Sequence, residues 1–303
     1  MTFRQVEIFV SVARARNFTR AAETLHVSQS TLSQHVLDLE RELGVRLFDR
    51  LGRAVTLTEA GRLFEEHATR IATAVASARR TIDELKGLER GSLVIGASTT
   101  PGIYVLPGIV ATFRRRYPGI EISLRIGNSR VIEERIRADE VDLGVVGGHG
   151  LGANERCVAA GLVDELLLIV PPRHPWARRR EIAPRELDQA PLLMREQGSA
   201  TRVVTERTLR QAGVKFATAM ELDHIEAVKQ AVMVGLGVAF VSMHAVRGEI
   251  ATRRLCGLRL KGLRVRRHFH VIHNEARTLT ASGRAFMALL EGPRTLARAG
   301  DAG

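Results

Sequence analysis

Aromatic side chains are scarce in this chain. They make up 4% of its 303 residues, with a single tryptophan, although a total apolar content of 45% still supplies a core. Cysteine is scarcer: Cys157 and Cys256 are the only two, and their wide separation argues against a disulfide framework or a cysteine-based zinc site. No apolar run approaches the roughly 20 residues that a membrane-spanning helix needs. The opening MTFRQVEIFV has no charged leader followed by an apolar block, so no secretory signal is expected. Together these absences predict a soluble, cytoplasmic protein with no membrane partner. Catalytic signatures are missing too: GxSxG, HExxH, a Walker lysine loop, or GxGxxG after a strand. No catalytic residue, metal ligand or cofactor is therefore assigned. His268 and His270 have the one-face spacing of a strand, which could suit a metal but reads as an ordinary strand near the surface.

Acidic charge is also in short supply, and the net charge is +12. Its placement matters more than its size. Residues 1–58 hold 8 Arg against 6 Asp/Glu, residues 59–90 hold 6 of each sign, and residues 91–303 hold 31 basic against 21 acidic. The surplus lies in runs such as Arg114-Arg115-Arg116, Arg178-Arg179-Arg180 and Arg264 to His268, which read as solvated surface.

The most informative stretch is NFTRAAETLHVSQSTLSQHVLDLERELGVRLFDR, residues 17–50. A first helix begins at Thr2, with Phe3, Val6, Phe9, Val10 and Ala13 on its inner stripe. Thr19 is the expected cap of a second helix, with Ala21, Ala22 and Leu25 inside. After the turn Leu25-His26-Val27, Ser28 caps a third helix whose inner face is Leu32, Val36, Leu39 and Leu43, and Gly44 ends it. The outer face of that helix opens with Gln29, Ser30, Thr31, Ser33 and Gln34. A DNA recognition helix presents its first turns to base edges and phosphates, and hydroxyls and amides both donate and accept. A solvated helix start has a similar composition. Two short β-prone pieces, Val45 to Phe48 and Val55 to Leu57, then suggest a small hairpin, or wing. Arg50 and Arg53 near its tip are placed to reach phosphates or a minor groove.

From Thr58 to Leu88 there is no proline, and Thr58 is a suitable cap. Phe64, Ala68, Ile71, Val75, Ala78, Ile82 and Leu85 recur at alternating steps of 4 and 3, an a/d seam on a rod of about 45 Å. Such a seam predicts pairing with a second copy. A helix packed on its own domain would show a wider apolar face.

Strands and helices alternate beyond residue 91. Leu93–Ala97, Ile120–Ile126 and Val141–Val146 read as strands, with helices over 103–117 and 131–138. A second set starts at Glu165–Val170 and includes strands at 191–195, 217–222 and 238–241, helices at 201–212 and 225–234, and a last strand and helix at 269–273 and 282–290. This order predicts parallel sheets in two α/β lobes. Ligands in such folds sit at the carboxyl ends of strands. Those ends carry Ser98, Thr99, Thr100, Asn128, Arg195, Ser199, Thr201 and Arg202. They read either as helix caps or, if they converge, as an anion-friendly ligand site.

With this order laid out, the chain resembles the LysR-type transcriptional regulators over about residues 1–290. The pattern AAxxLxVSQSxLSxxVxxLExxLGxxLFxR carries the resemblance most strongly. The segments IGAST, YVLPGIVATFRRRYPGIEISLRIGNS, VDLGVV and EAVKQAVMVGLGVAFVS support it in the second half. The combination of Gly127-Asn128-Ser129 with Arg195-Glu196-x-Gly198-Ser199-x-Thr201-Arg202 is similar to the branch governing carbon-fixation and sulfur-assimilation operons. The resemblance implies a mixed α/β chain of four parts. They are a winged helix-turn-helix (1–58), a dimerising linker helix (59–90), a two-lobed periplasmic-binding-protein-like effector domain (91–291; lobe I about 91–163 and 268–291, lobe II about 164–267), and a flexible tail (292–303). Expected partners are double-stranded DNA with a two-fold operator, a small-molecule effector, and further copies as a homodimer and homotetramer, with RNA polymerase left open. Carried over by position, Thr19, Ser28, Gln29, Ser30, Thr31, Ser33, Gln34, Arg50 and Arg53 would contact DNA. Ser98, Thr99, Thr100, Asn128, Arg195, Ser199, Thr201 and Arg202 would line the effector pocket. Two positions depart from the family pattern, which usually has Pro at Ser30 and often Arg at Gln34. Arg favours guanine and Gln favours adenine. A solute-binding transport protein and an α/β enzyme are the competing readings. The first 90 residues oppose the former, and the missing catalytic set opposes the latter.

Overall fold

A computed structural model describes residues 1–51, 54–84, 91–148 and 155–291. Contacts divide the chain into two compact units, Met1–Ile82 and Asp83–Gly303.

The first unit begins with α1 (Phe3–Ala15), opened by a capping box in which Thr2 and Gln5 exchange side-chain and backbone bonds. Helix α2 (Phe18–Thr24) is capped by Asn17, whose Oδ1 accepts from Arg20 N at 3.0 Å. This corrects the expected Thr19 cap. Asn17 holds the extended backbone a cap requires, whereas Thr19 already lies inside the first turn, exposed. Helix α3 (Gln29–Leu43) starts as expected, with Ser28 Oγ accepting from Thr31 N at 3.1 Å, and ends at Gly44 in the left-handed region (φ 69°). Leu32, Val36 and Leu39 are fully buried, but Leu43 is 38% exposed and leaves the predicted inner face. The wing is an antiparallel pair, β1 (Phe48–Leu51) and β2 (Ala54–Leu57), so its first strand starts later than the sequence suggested. Glu40 fixes that start by accepting from Leu47 N (2.7 Å) and Phe48 N (3.1 Å), which ties α3 to the wing.

Helix α4 (Glu59–Glu84) follows, about 39 Å long at its 26 residues. Thr58 Oγ1 accepts from Gly61 N at 2.9 Å. Gly61 is required here, because a Cβ would sit 2.0 Å from Leu47 O. The proposed seam divides. Ala68 is fully buried in this unit's own core, and Phe64 packs on Phe9 with ring centroids 4.8 Å apart. Those two positions face inward because Phe9, Phe18 and Phe48 form an aromatic nest that Phe64 completes. Ile71, Ala78 and Ile82 are exposed instead, with Val75 half-buried. Leu85 and Arg53 lie outside the described residues.

The second unit is built on one ten-stranded sheet. Its elements in order are β3 (Gly91–Ser98), α5 (Thr99–Tyr104), α6 (Leu106–Arg116), β4 (Ile120–Gly127), α7 (Ser129–Arg137), β5 (Leu143–Gly148), β6 (Glu155–Val170) and β7 (Glu181–Ile182). After a 3-10 turn at Pro184–Gln189 come β8 (Leu192–Arg195), α8 (Ala200–Gln211), β9 (Thr218–Leu222), α9 (Ile225–Met233), β10 (Val238–Ser242), α10 (Met243–Ala251), β11 (Cys256–Leu260), β12 (Arg266–Asn274) and α11 (Ala281–Glu291). The sheet is mixed rather than parallel. Strands β4-β3-β5 and β10-β8-β9 are parallel sets, but β12 runs antiparallel to β5, and β6 antiparallel to β10. The reason is β6, a strand of 16 residues. Its first part pairs with β12 and its last residues pair with β10 and β11, so it crosses from one half of the sheet to the other.

The single helix expected over 103–117 is two. Pro107 lacks an N–H and cannot continue α5, so the chain breaks at Val105. Helix α10 and strand β11 had no forecast. The tail 292–303 lies outside the described residues.

Candidate functional site

The outer face of α3 displays Gln29, Ser30, Thr31 and Gln34 to solvent, with Ser33 half-buried beside them. Ser28 Oγ lies 2.9 Å from Ser30 Oγ and 2.7 Å from Thr31 Oγ1. The capping serine thus organises the first turn while its neighbours keep free hydrogen-bonding capacity. Gln29 Nε2 donates to Ser33 Oγ at 3.3 Å, and Gln34 Nε2 to Asp38 Oδ1 at 2.8 Å. Arg50 pairs with Val55 across the wing. Thr19 is an exposed residue of α2, away from any cap role.

In the second unit, strand ends converge. One small cleft is lined by Ser98, Thr99, Thr100, Asn128, Arg195, Ser199 and Thr201, together with Ser129, Ala200 and Arg267. Seven of the eight residues expected to bind a ligand therefore meet. The eighth, Arg202, does not line the cleft. It is turned outward onto Glu206 (2.8 Å) and Glu221 while also donating to Arg195 O at 3.1 Å. The free space is about 10 Å³, room for one water molecule. A metabolite must part these walls to enter.

The helix-cap reading of these side chains is only partly right. Asn128 does cap α7, its Oδ1 accepting from Val131 N at 3.0 Å. Ser98 and Ser199 stand at cap positions without making a side-chain cap bond. Ser98 Oγ instead accepts from Gly147 N at 3.1 Å. Ser129 Oγ donates to Gly147 O at 2.9 Å, and Thr99 Oγ1 to Gly127 O at 3.1 Å. Arg195 is 4% exposed and held by Glu196 at 2.7 and 3.0 Å and by Asp223 O at 3.2 Å.

The residue that joins the two sides was not anticipated. Arg267 is buried at 5% exposure, which corrects at that position the reading of the Arg264–His268 run as surface, while Arg264, Arg266 and His268 are exposed as read. Its Nη2 donates to Thr100 Oγ1 and its Nη1 to Thr201 Oγ1, each at 2.9 Å. Its Nε donates to Asp164 Oδ2 at 2.8 Å, and Asp164 is fully buried and also accepts from Ser242 Oγ at 2.6 Å. Burial lowers the Arg267 pKa, and the attraction of Asp164 opposes that. The signal was present as period-two alternation: Val265, Arg267, Phe269 and Val271 share the buried side of β12.

A second polar knot lies near the far end of α5. Tyr104 OH donates to Glu226 Oε1 at 2.7 Å, and the buried Lys229 contacts Glu226 (2.7 Å), Glu249 (2.6 Å) and Ala245 O (2.9 Å). Burial, then the bond to Glu226, raise the Tyr104 phenol above its usual pKa. One short helix thus carries cleft residues at its start and this knot at its end.

The family model described as "Bacterial regulatory helix-turn-helix protein, lysR family" matches residues 3–62, and that described as "LysR substrate binding domain" matches residues 86–292. The chain is 37% identical to a RuBisCO operon transcriptional regulator of Allochromatium vinosum, covering 94% of each. A solved structure of the CcmR regulatory domain from Synechocystis, in complex with 2-PG, is 28% identical. It aligns with 67% of this chain and 96% of that one at a TM-score of 0.62. Full-length CbnR complexed with its target DNA, at 22% identity, shares the fold over 99% of this chain and 100% of that one, with a TM-score of 0.73.

Proposed function

This chain belongs to the LysR family of bacterial transcriptional regulators, and on that premise we propose which of its residues read DNA and which receive the effector. The chain is a regulator with a DNA-binding helix-turn-helix and an effector-binding domain, not an enzyme. Its working surface on DNA is the outer face of α3, with Gln29, Ser30, Thr31, Ser33 and Gln34 over base edges and phosphates and the wing beside them. The stripe of exposed Ile71, Ala78 and Ile82 with half-buried Val75 on α4 pairs with a second copy, which presents two recognition helices to a two-fold site. The protein acts in the cytoplasm, as a homodimer or a homotetramer built from such pairs.

The effector is a small phosphorylated or carboxylated anion. The observation that carries this is Arg267, a buried guanidinium spanning Thr100 and Thr201 among convergent hydroxyls. A guanidinium with a fixed fork suits an anion's oxygens. The 2-PG complex of the CcmR domain supports the same chemistry. An anion that draws the two hydroxyls and Arg267 onto itself favours one arrangement of the walls over another, and only such a difference can shift the regulator.

Gel shift on the chain's own upstream DNA, at several salt concentrations, tests the DNA half. Thermal shift with a panel of phosphorylated and carboxylated metabolites, 2-PG included, tests the effector half. Binding without sequence preference would overturn the first. A panel in which no anion raises the melting temperature would overturn the second.

A further inference from the structure

Gln34 has a fixed partner that narrows what it can read. The pair sits four residues apart on α3, where side chains at i and i+4 stack along one face. Gln34 Nε2 donates to Asp38 Oδ1 at 2.8 Å, and Arg41 Nη1 holds the same carboxylate oxygen at 3.4 Å. A carboxylate is an acceptor only, so it can engage the amide nitrogen and never the amide oxygen. The contact therefore sets which way the amide is flipped.

The chemistry that follows is an accounting of donors. A glutamine amide has two N–H bonds and one oxygen. With one N–H committed to Asp38, one donor and one acceptor remain. The major-groove edge of adenine offers one acceptor, N7, and one donor, the N6 amine. Guanine offers two acceptors, N7 and O6. The remaining pair on Gln34 matches adenine, whereas against guanine Oε1 would face O6. The neighbouring Gln29 is not fixed in this way. Its partner at 3.3 Å is the Ser33 hydroxyl, which rotates and serves as donor or acceptor alike.

We propose that Asp38 is a positioning residue for base selection: it orients Gln34 so that one symmetric pair of operator positions reads adenine and rejects guanine. This rests on α3 being the recognition helix. Asp38 touches no base. Its charge opposes phosphate binding, an effect Arg41 partly offsets, so the pair trades general affinity for discrimination.

Binding-site selection with the full-length chain tests this, using wild type, Gln34→Ala, Asp38→Ala and Asp38→Asn. A well-made bidentate contact discriminates by roughly 5- to 150-fold. Wild type should show adenine at one symmetric pair, and Gln34→Ala should lose that preference. Asp38→Ala should admit guanine at the same pair, with the adenine-to-guanine ratio falling severalfold while affinity for unrelated DNA rises. Asp38→Asn can donate to Gln34 Oε1 as well as accept from Nε2, so it no longer fixes the flip and should weaken the preference, though by less than Asp38→Ala. An Asp38→Ala selection identical to wild type would overturn the inference, as would a change confined to a different operator position. Wild type that selects no sequence at all would overturn the underlying reading of α3 as well, which separates the two failures.

Discussion

Replacing Arg267 by methionine removes the guanidinium that pairs with a fully buried carboxylate, Asp164. Asp164 would lose two contacts of 2.8 Å, from Nε and Nη2, and keep the Ser242 hydroxyl at 2.6 Å. Breaking one side of a buried pair costs about 3–5 kcal/mol, because the remaining charge stays desolvated. For a unit of about 200 residues each kcal/mol moves the melting temperature by about 2–4 °C, so Arg267→Met should lower it by about 6–20 °C. Trp176, the sole tryptophan, packs against the core of this unit, and its fluorescence follows this unfolding directly. The decisive arm is the double variant Arg267→Met/Asp164→Asn. A neutral amide can still accept from Ser242 and carries no charge to strand, so the double variant should recover about 2 kcal/mol or more over Arg267→Met. If it instead loses the sum of both single costs, the two residues act independently and the cleft is not built around a buried ion pair.

The corrected cap predicts that Asn17→Ala costs the helix-turn-helix unit about 1 kcal/mol while Thr19→Ala costs close to nothing, measured by chemical denaturation. The divided seam predicts two different phenotypes for α4: Phe64→Ala should unfold the first unit more easily, by about 3 kcal/mol or more, whereas Ile82→Arg should leave that unit folded and weaken self-association in sedimentation. Glu165 is held below its ordinary value of 4.5, chiefly by the hydrogen bond from Arg259. The stabilisation it provides is complete above pH 4.5 and is lost as pH falls through the lowered folded value; Glu165→Gln should flatten the stability profile in that acid window.

The helix-turn-helix was legible because its signals are local. Capping hydroxyls, the 3.6-residue stripe and Gly44 all act within a few residues, and α1 and α3 start where they predict. Thr19 misled because Asn17, two residues earlier, already holds the extended backbone of a cap and accepts from Arg20 N. The a/d seam misled in a different way. Spacing gives a face, but not what covers it, and Phe64 finds its partners in Phe9 of its own unit. The mixed sheet was hidden because β6 changes neighbours along its length, which no local pattern encodes. In the cleft, hydroxyls at strand ends announced themselves. Arg267 did not, since a run of charge masked its alternation with Val265 and Phe269. Arg202 was drawn away from the cleft by Glu206 and Glu221, partners 4 and 19 residues distant.

Hydroxyl-radical footprinting of the upstream DNA, with and without the strongest anion from the thermal-shift panel, tests the central account most directly. Wild type should protect two half-sites related by a two-fold axis and separated by whole helical turns. The anion should change their spacing or extent, and Thr100→Val/Thr201→Val should abolish that change without abolishing protection. Protection of a single asymmetric patch, or a footprint that the anion leaves untouched, would contradict it.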